Sequence, residues 1–250
     1  GAMLKEMPRK YWKNMPEASL IPELIAGAQA SEARMVESGA QDFGEKPDTL
    51  QGIAEAIPSC RRCAIGCNGT RAVMGEGPQS PVLMIVGEQP GDNEEEQGRP
   101  FIGPAGQLLR AHLQDAAIPI EQAYVTNAVK HFKFAAKGKL RLHQSPTPKE
   151  IDTCRWWLEA ERDLVRPAIV LALGASAARG LLGRTFSVNQ ARGRAIPLDD
   201  GAELWVTVHP SYLLRLDGAA RAEQEAQFAA DLAAVKARLE EADARRAAHP

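Results

Sequence analysis

Four short apolar segments, spaced between residues 82 and 208 and separated by stretches of helical character, constrain the fold more than any other feature. Val82-Leu83-Met84-Ile85-Val86 is wholly apolar, as a strand must be when both its faces are covered in a parallel sheet. Ala123–Asn127, Ala168–Leu173 and Leu204–Val208 read as the following strands. Between them, Gly103–Ala117 carries Leu108, Leu109 and Leu113 on one helical face. Thr147-Pro148-Lys149-Glu150 has the pattern of a helix start: a capping threonine, a proline in the first turn, and a glutamate three residues after the cap. Ala175–Leu182 predicts another helix, and Phe228, Leu232, Val235 and Leu239 share one face of a last one. Strands alternating with helices predict an α/β fold whose central sheet is mainly parallel and flanked by helices. Ligands of such sheets sit at the carboxyl ends of the strands. Gly87–Asp92, the segment from Asn127 onward, and His209-Pro210-Ser211 fall at those ends.

The remaining composition bounds the setting. With 250 residues, 44% of them hydrophobic, the chain can bury one large core and carry an appendage. Residues 1–50 read as an appendage: Gly1-Ala2-Met3 as the scar of a cleaved tag, Tyr11–Pro16 as a docking segment, Ile21–Val36 as an amphipathic helix, and Gly39–Asp48 as a linker. We take them as the tail of an upstream domain and residues 51–250 as the main domain. Net charge is −2, so affinity for nucleic acid has to come from local clustering of charge. No secretory signal or apolar run of membrane-spanning length is evident, and the expected location is cytoplasmic, with a monomer expected.

One cluster of charge stands out. From Thr126 to His143 there are five basic residues, Lys130, Lys133, Lys137, Lys139 and Arg141, and no acidic one. Phe132 and Phe134 are interleaved, and histidines flank the basic part at His131 and His143. Such a segment is either a solvated basic loop or a loop lying on a phosphate backbone with an imidazole delivered to a defined place. The turn Gly87-Glu88-Gln89-Pro90-Gly91 lacks dinucleotide-binding or P-loop spacing; presenting backbone N–H groups and a carboxamide to a planar polar base suits it better. His209, followed by Pro210, either caps its strand or stabilises charge on a leaving group. Ser211 and Arg215 can bond a phosphate, and Leu213 or Leu214 can wedge into a base stack. Three of the four cysteines, Cys60, Cys63 and Cys67, crowd together and Cys154 lies far downstream; a Cys-x-x-Cys pair of this kind favours metal or redox chemistry over structural disulfides.

Taken together, Gly87–Gly91, Arg99-Pro100-Phe101-Ile102-Gly103, Thr126–Lys130 and His209–Arg215 resemble the motifs of the iron–sulfur uracil-DNA glycosylases, usually called family 4, over about residues 50–240. Gln89, His131 and the basic loop ending in His143 resemble the UdgX subgroup, whose members excise uracil and stay covalently attached to the abasic sugar. The resemblance implies a three-layer sandwich and uracil-containing DNA as partner, preferentially single-stranded, with uracil as product. It also implies roles. Phe101 would stack on the flipped uracil and Asn127 would bond its polar edge. Gln89 and the turn backbone from Gly87 would hold the base, with Asp92 lining the pocket. His209 would stabilise the uracil anion, and His143 would capture the sugar with Glu88 orienting its imidazole or taking up its proton. Lys139 and Arg141 would hold the DNA backbone beside Ser211 and Arg215.

A cluster is implied as well. The family has a third cysteine where this chain has His131, so Cys60, Cys63, His131 and Cys154 are the expected ligands of a 4Fe-4S cluster, imidazole replacing one thiolate. Cys67 is the rival fourth ligand and zinc the rival metal. The subgroup's loop usually reads Lys-Arg-Arg-Ile-His, whereas this chain reads Lys139-Leu140-Arg141-Leu142-His143, with one basic residue fewer. The alternatives are a turnover glycosylase that releases a free abasic site, and a non-catalytic cluster-bearing DNA-binding module.

Overall fold

The computed structural model describes residues 44–248, and the expectations for Tyr11–Pro16, Ile21–Val36 and the first part of the Gly39–Asp48 linker lie outside them. In chain order the elements are α1 (Leu50–Ala56), β1 (Leu83–Gly87), α2 (Asp92–Gln97), α3 (Pro104–Asp115), β2 (Tyr124–Asn127), β3 (Phe134–Lys137), β4 (Leu140–His143), α4 (Pro148–Val165), β5 (Ile169–Leu173), α5 (Ala175–Leu182), α6 (Val188–Ala191), β6 (Ile196–Pro197), β7 (Glu203–Thr207), α7 (Pro210–Leu214) and α8 (Gly218–Ala248).

The four apolar segments form one sheet, in the order β2-β1-β5-β7-β6. The first four strands run parallel, and short β6 closes the edge antiparallel to β7. The strands are mostly apolar because they alternate between two cores. Leu83, Ile85, Val125, Ile169, Leu171 and Leu173 face α3 and α8, meeting Leu109, Leu113, Phe228, Leu232 and Val235. Met84, Val86, Tyr124, Val170, Ala172, Leu204 and Val206 face α4 and α5, meeting Leu158, Ala177, Ala178 and Leu181. The result is a helix–sheet–helix sandwich, as expected. Thr147 caps α4, accepting from Glu150 N at 3.2 Å, while the Glu150 carboxylate accepts from Thr147 N.

The segment after Asn127 departs from expectation. What reads as a loop is an antiparallel hairpin, β3 with β4, in which Phe134 pairs with His143 and Lys137 with Leu140. Gly138 turns it with φ +61, a conformation that costs glycine little. The run Lys137-Gly138-Lys139 at its centre gave the segment the composition of a loop.

Candidate active site at the carboxyl end of the sheet

Strand ends β1, β2, β5 and β7 open into a cleft of about 750 Å³, bordered by Glu88, Gln89, Asp92, Phe101, Asn127, His143, His209, Ser211 and Arg215. Gly87 pairs with Asn127 across the sheet. A β-carbon at Gly87 would meet Asn127 Oδ1 at 2.5 Å and Phe101 Cζ at 2.6 Å. Only glycine lets the amide and the aromatic ring approach that closely. Phe101 itself has φ +54, a conformation that a bulky residue keeps only when its surroundings over-determine it. They do. Glu94 Oε1 accepts from Ile102 N at 3.0 Å and Gly103 N at 2.7 Å, and Arg110 Nε donates to Phe101 O. Gly106 of α3 leaves room for the Phe101 carbonyl, which an added β-carbon would meet at 2.2 Å. The Phe101 and His209 rings are nearly parallel, centroids 6.4 Å apart.

His209 sits where β7 turns into α7. Its Nδ1 lies 3.1 Å from Ser211 N and 2.8 Å from Ser211 Oγ. The backbone N–H can only donate, so Nδ1 is an acceptor and the proton of the neutral ring is on Nε2. Burial pushes the His209 pKa down to about 4, against the pull of Glu88. The ring is therefore a neutral N–H donor at the cleft floor. Ser211, expected to bond phosphate, instead engages the imidazole and fixes its tautomer.

His143 ends β4 at the lip of the same cleft, half exposed, with Nε2 3.3 Å from Glu88 Oε1. Glu88 Oε2 accepts from Ser176 Oγ at 2.6 Å. Burial alone would raise the Glu88 pKa, but the hydrogen bonds from His143 and Ser176 outweigh it and hold it below the usual carboxylate range. An ionised carboxylate thus faces the imidazole. The hairpin is anchored beneath: Gln89 Nε2 donates to Lys133 O at 3.3 Å and Gln144 O at 3.0 Å, and Gln89 Oε1 accepts from Lys133 N at 3.1 Å. The carboxamide expected to hold the base is turned to both ends of the hairpin, which leaves the turn backbone for that task.

The basic residues divide. Lys130 is fully buried and paired with Glu161, itself buried. Lys133 pairs with Glu150 at 2.8 Å. Arg141 is tied to Asp92 and Glu95 and lies 5.5 Å over the Phe134 ring. These contacts fasten the hairpin to α2 through the Arg141 guanidinium, whose side chain stays partly exposed. Lys137 and Lys139 are exposed and have no carboxylate partner among the described residues.

The thiols of Cys60, Cys63 and Cys154 lie in a separate apolar cluster. Cys60 and Cys154 are buried in an apolar cluster with Ile53, Ile57, Val129, Ile151 and Trp157, and Cys63 packs against it. Trp157 Nε1 donates to Cys60 Sγ at 3.3 Å and Lys130 N to Cys154 Sγ at 3.4 Å. Burial pushes the Cys154 thiol up to about 12 and raises that of Cys63. Buried sulfurs with N–H donors aimed at them suit iron-bound thiolates, which accept such bonds. Among the described residues no group of three or more His, Cys, Asp or Glu side chains is arranged to hold a metal ion. The His131 ring is buried, and that burial together with Arg61 lowers its pKa to about 4, with Glu95 opposing; a neutral imidazole can replace a thiolate on iron. Cys67 is exposed, its Sγ 3.7 Å from Arg61 O.

Sequence reasoning missed Glu94, Ser176 and Glu161. Glu94 lies in an acidic run that reads as solvated, yet it accepts from Gly91 N, Ile102 N and Gly103 N and so ties the β1 turn to the Phe101 loop. Its position three residues after Gly91, where a helix-opening glutamate reaches back to the cap, was the available signal. Glu161 accepts from Gly75 N, Tyr124 Oη and Thr126 Oγ1 as well as Lys130. Nothing local marks it, because its partners come from three distant segments.

Residues 74–233 match the Uracil DNA glycosylase superfamily. The chain is 34% identical over 171 residues to the type-4 uracil-DNA glycosylase of Thermotoga maritima, covering 68% of this chain and 85% of that protein. It is 31% identical to the type-4 uracil-DNA glycosylase of Pyrobaculum aerophilum, covering 66% of this chain and 85% of the relative. A protein of that name from Sulfurisphaera tokodaii is 33% identical, covering 59% and 66%.

Proposed function

The chain belongs to the uracil-DNA glycosylase superfamily, and from that premise we propose a uracil-DNA glycosylase that captures its own product through His143. One observation carries the capture: an imidazole backed by an ionised carboxylate stands at the lip of a cleft whose floor presents a second, neutral imidazole.

The extruded base stacks on Phe101, and Asn127 bonds its polar edge beside the backbone of Gly87–Gly91. Flipping costs a few kcal/mol, offset by stacking and phosphate contacts. As the C1′–N1 bond breaks, its electron pair passes to uracil, and His209 Nε2–H donates to the oxygen where charge accumulates. One positioned donor of this kind contributes about 3–4 kcal/mol in a water-poor site. The sugar left behind is oxocarbenium-like. With Glu88 accepting from His143 Nε2, the other ring nitrogen keeps its lone pair and attacks C1′; Glu88 then takes up the Nε2 proton. A group held against C1′ acts at an effective concentration of ~10⁵ M or more, which lets it outrun water.

Cys60, Cys63 and Cys154, with His131 as fourth ligand, would hold a 4Fe-4S cluster whose contribution is to tie α1, the β2 end and α4 together. Iron and acid-labile sulfide near four each per chain support this assignment; a colourless protein holding one zinc ion refutes it.

A turnover reading is favoured by Leu140, which stands where the trapping subgroup has arginine. One gel separates the readings. After incubation with single-stranded uracil DNA and denaturation, a conjugate that survives heat and detergent and is lost in His143→Ala supports capture. Alkali-labile abasic DNA without conjugate supports turnover. Unaltered DNA supports a binding module.

A further inference from the structure

Among the described residues, the exposed large apolar side chains are Leu140, Leu142, Tyr212 and Leu214. They are not scattered. Tyr212 borders the cleft and Leu214 follows it in α7. Leu140 and Leu142 belong to β4, the strand that delivers His143. Strand alternation splits that hairpin into two faces. On the inner face Phe134, Arg141 and His143 pack toward Phe132 and the acidic groups of Glu88, Asp92 and Glu95. On the outer face stand Ala135, Lys137, Leu140 and Leu142, with Leu140 paired across from Lys137 and Leu142 across from Ala135. Leu140 is 65% exposed and Leu142 45%.

We propose that Leu140 and Leu142 form a stacking platform for an unpaired base next to the target uracil, with Lys137 and Lys139 on the flanking phosphates. The inference rests on the uracil-DNA reading and deepens it by naming the strand state preferred. The occupant follows from the surroundings. The hairpin is continuous with the cleft and carries no acidic residue from His131 to Gln144. Its two unpartnered cations lie next to the leucines, so a polyanion bearing flat apolar faces is the complementary ligand. In duplex DNA the neighbouring bases are stacked on one another and unavailable; in single strands their faces are free, and base stacking on a protein surface tolerates any sequence. The leucine replacing a basic residue of the related loop thus exchanges one phosphate contact for one base contact.

A base-deletion cycle tests this. The probe is a single-stranded oligonucleotide with 2′-fluoro-deoxyuridine, whose glycosidic bond resists cleavage, and with either neighbouring base present or replaced by an abasic spacer. Removing the contacted base from the DNA should weaken wild-type binding roughly fivefold to tenfold, the scale of one aliphatic contact buried. Leu140→Ser/Leu142→Ser should bind the intact probe roughly tenfold more weakly and be indifferent to base removal. Both residues are exposed, so the variant should keep its melting temperature. An unchanged Kd in the variant, or equal sensitivity to base removal in both proteins, overturns the platform. So does a wild-type dimer in sedimentation that the double substitution converts to monomer, which would assign the patch to a second copy of the chain. Wild-type protein that binds uracil and thymine probes equally, by contrast, removes the uracil reading itself.

Discussion

His209 is charged with two tasks by its neighbours: Ser211 sets its tautomer and the cleft floor keeps it neutral. His209→Ala should therefore lower the rate of uracil release by about 10²–10³, the cost of one lost charge-stabilising donor, while uracil-DNA binding changes far less. Single-turnover release against Kd on the uncleavable probe reads the difference. The same burial predicts a pH effect. The folded pKa is about 4 and the ordinary value 6.5, so between them the unfolded chain binds the proton that the folded one refuses. Stability then rises with pH across that window and is lost as pH falls from 6.5 toward 4. Melting temperature should drop between pH 7 and pH 5, and His209→Gln should flatten part of the slope; a slope unchanged by that substitution would contradict the buried neutral ring. Release itself should show no titration near 6.5. Gly87, Asn127 and His209 were legible as neighbours because each stands at a strand end, whereas Phe101, in the loop between α2 and α3, was suggested only by the motif Arg99–Gly103. Glu94, which pins Phe101, was legible only as a reach back to Gly91, since its bonds to Ile102 N and Gly103 N go to a separate turn.

The hairpin is the element on which the proposed capture depends, and it was only half legible. Its residues read as one basic face for phosphate. In the fold, Lys130 is buried against Glu161, Lys133 meets Glu150 and Arg141 meets Asp92 and Glu95. Charge composition cannot tell a solvent-facing lysine from one paired internally, because the carboxylates come from α2 and α4, elements remote in sequence. Two cations, Lys137 and Lys139, keep the expected exposure. The anchoring of the hairpin makes a prediction about catalysis. Gln89 closes both its ends with three hydrogen bonds, so Gln89→Leu should loosen His143 more than the base site. Conjugate formation should slow by tenfold or more, since attack depends on near-contact geometry, and uracil release should slow less. Equal slowing of both in rapid-quench measurements would mean that Gln89 serves the base and not the hairpin.

At the scale of the whole molecule, the alternation of apolar strands with helices carried the architecture without help from any motif: both sheet faces are covered, so both are apolar. What that pattern could not convey is the buried ion pair at its centre. Glu161 and Lys130 join α4 to β2 directly below Asn127, whose carbonyl accepts from Lys130 Nζ at 2.6 Å. Glu161→Leu would leave a buried ammonium unpaired, at a cost of about 3–5 kcal/mol. For a domain of this size that corresponds to a melting temperature lower by roughly 10 °C; calorimetry showing a change under about 2 °C would mean that the pair is not isolated from water. The central claim is that excision and capture occur in one cleft, and intact-protein mass spectrometry under denaturing conditions tests it most directly. After reaction with a single-stranded uracil oligonucleotide, the protein should gain the mass of the oligonucleotide less one uracil, with the modified peptide containing His143. Free uracil and abasic DNA alongside protein of unchanged mass would contradict it.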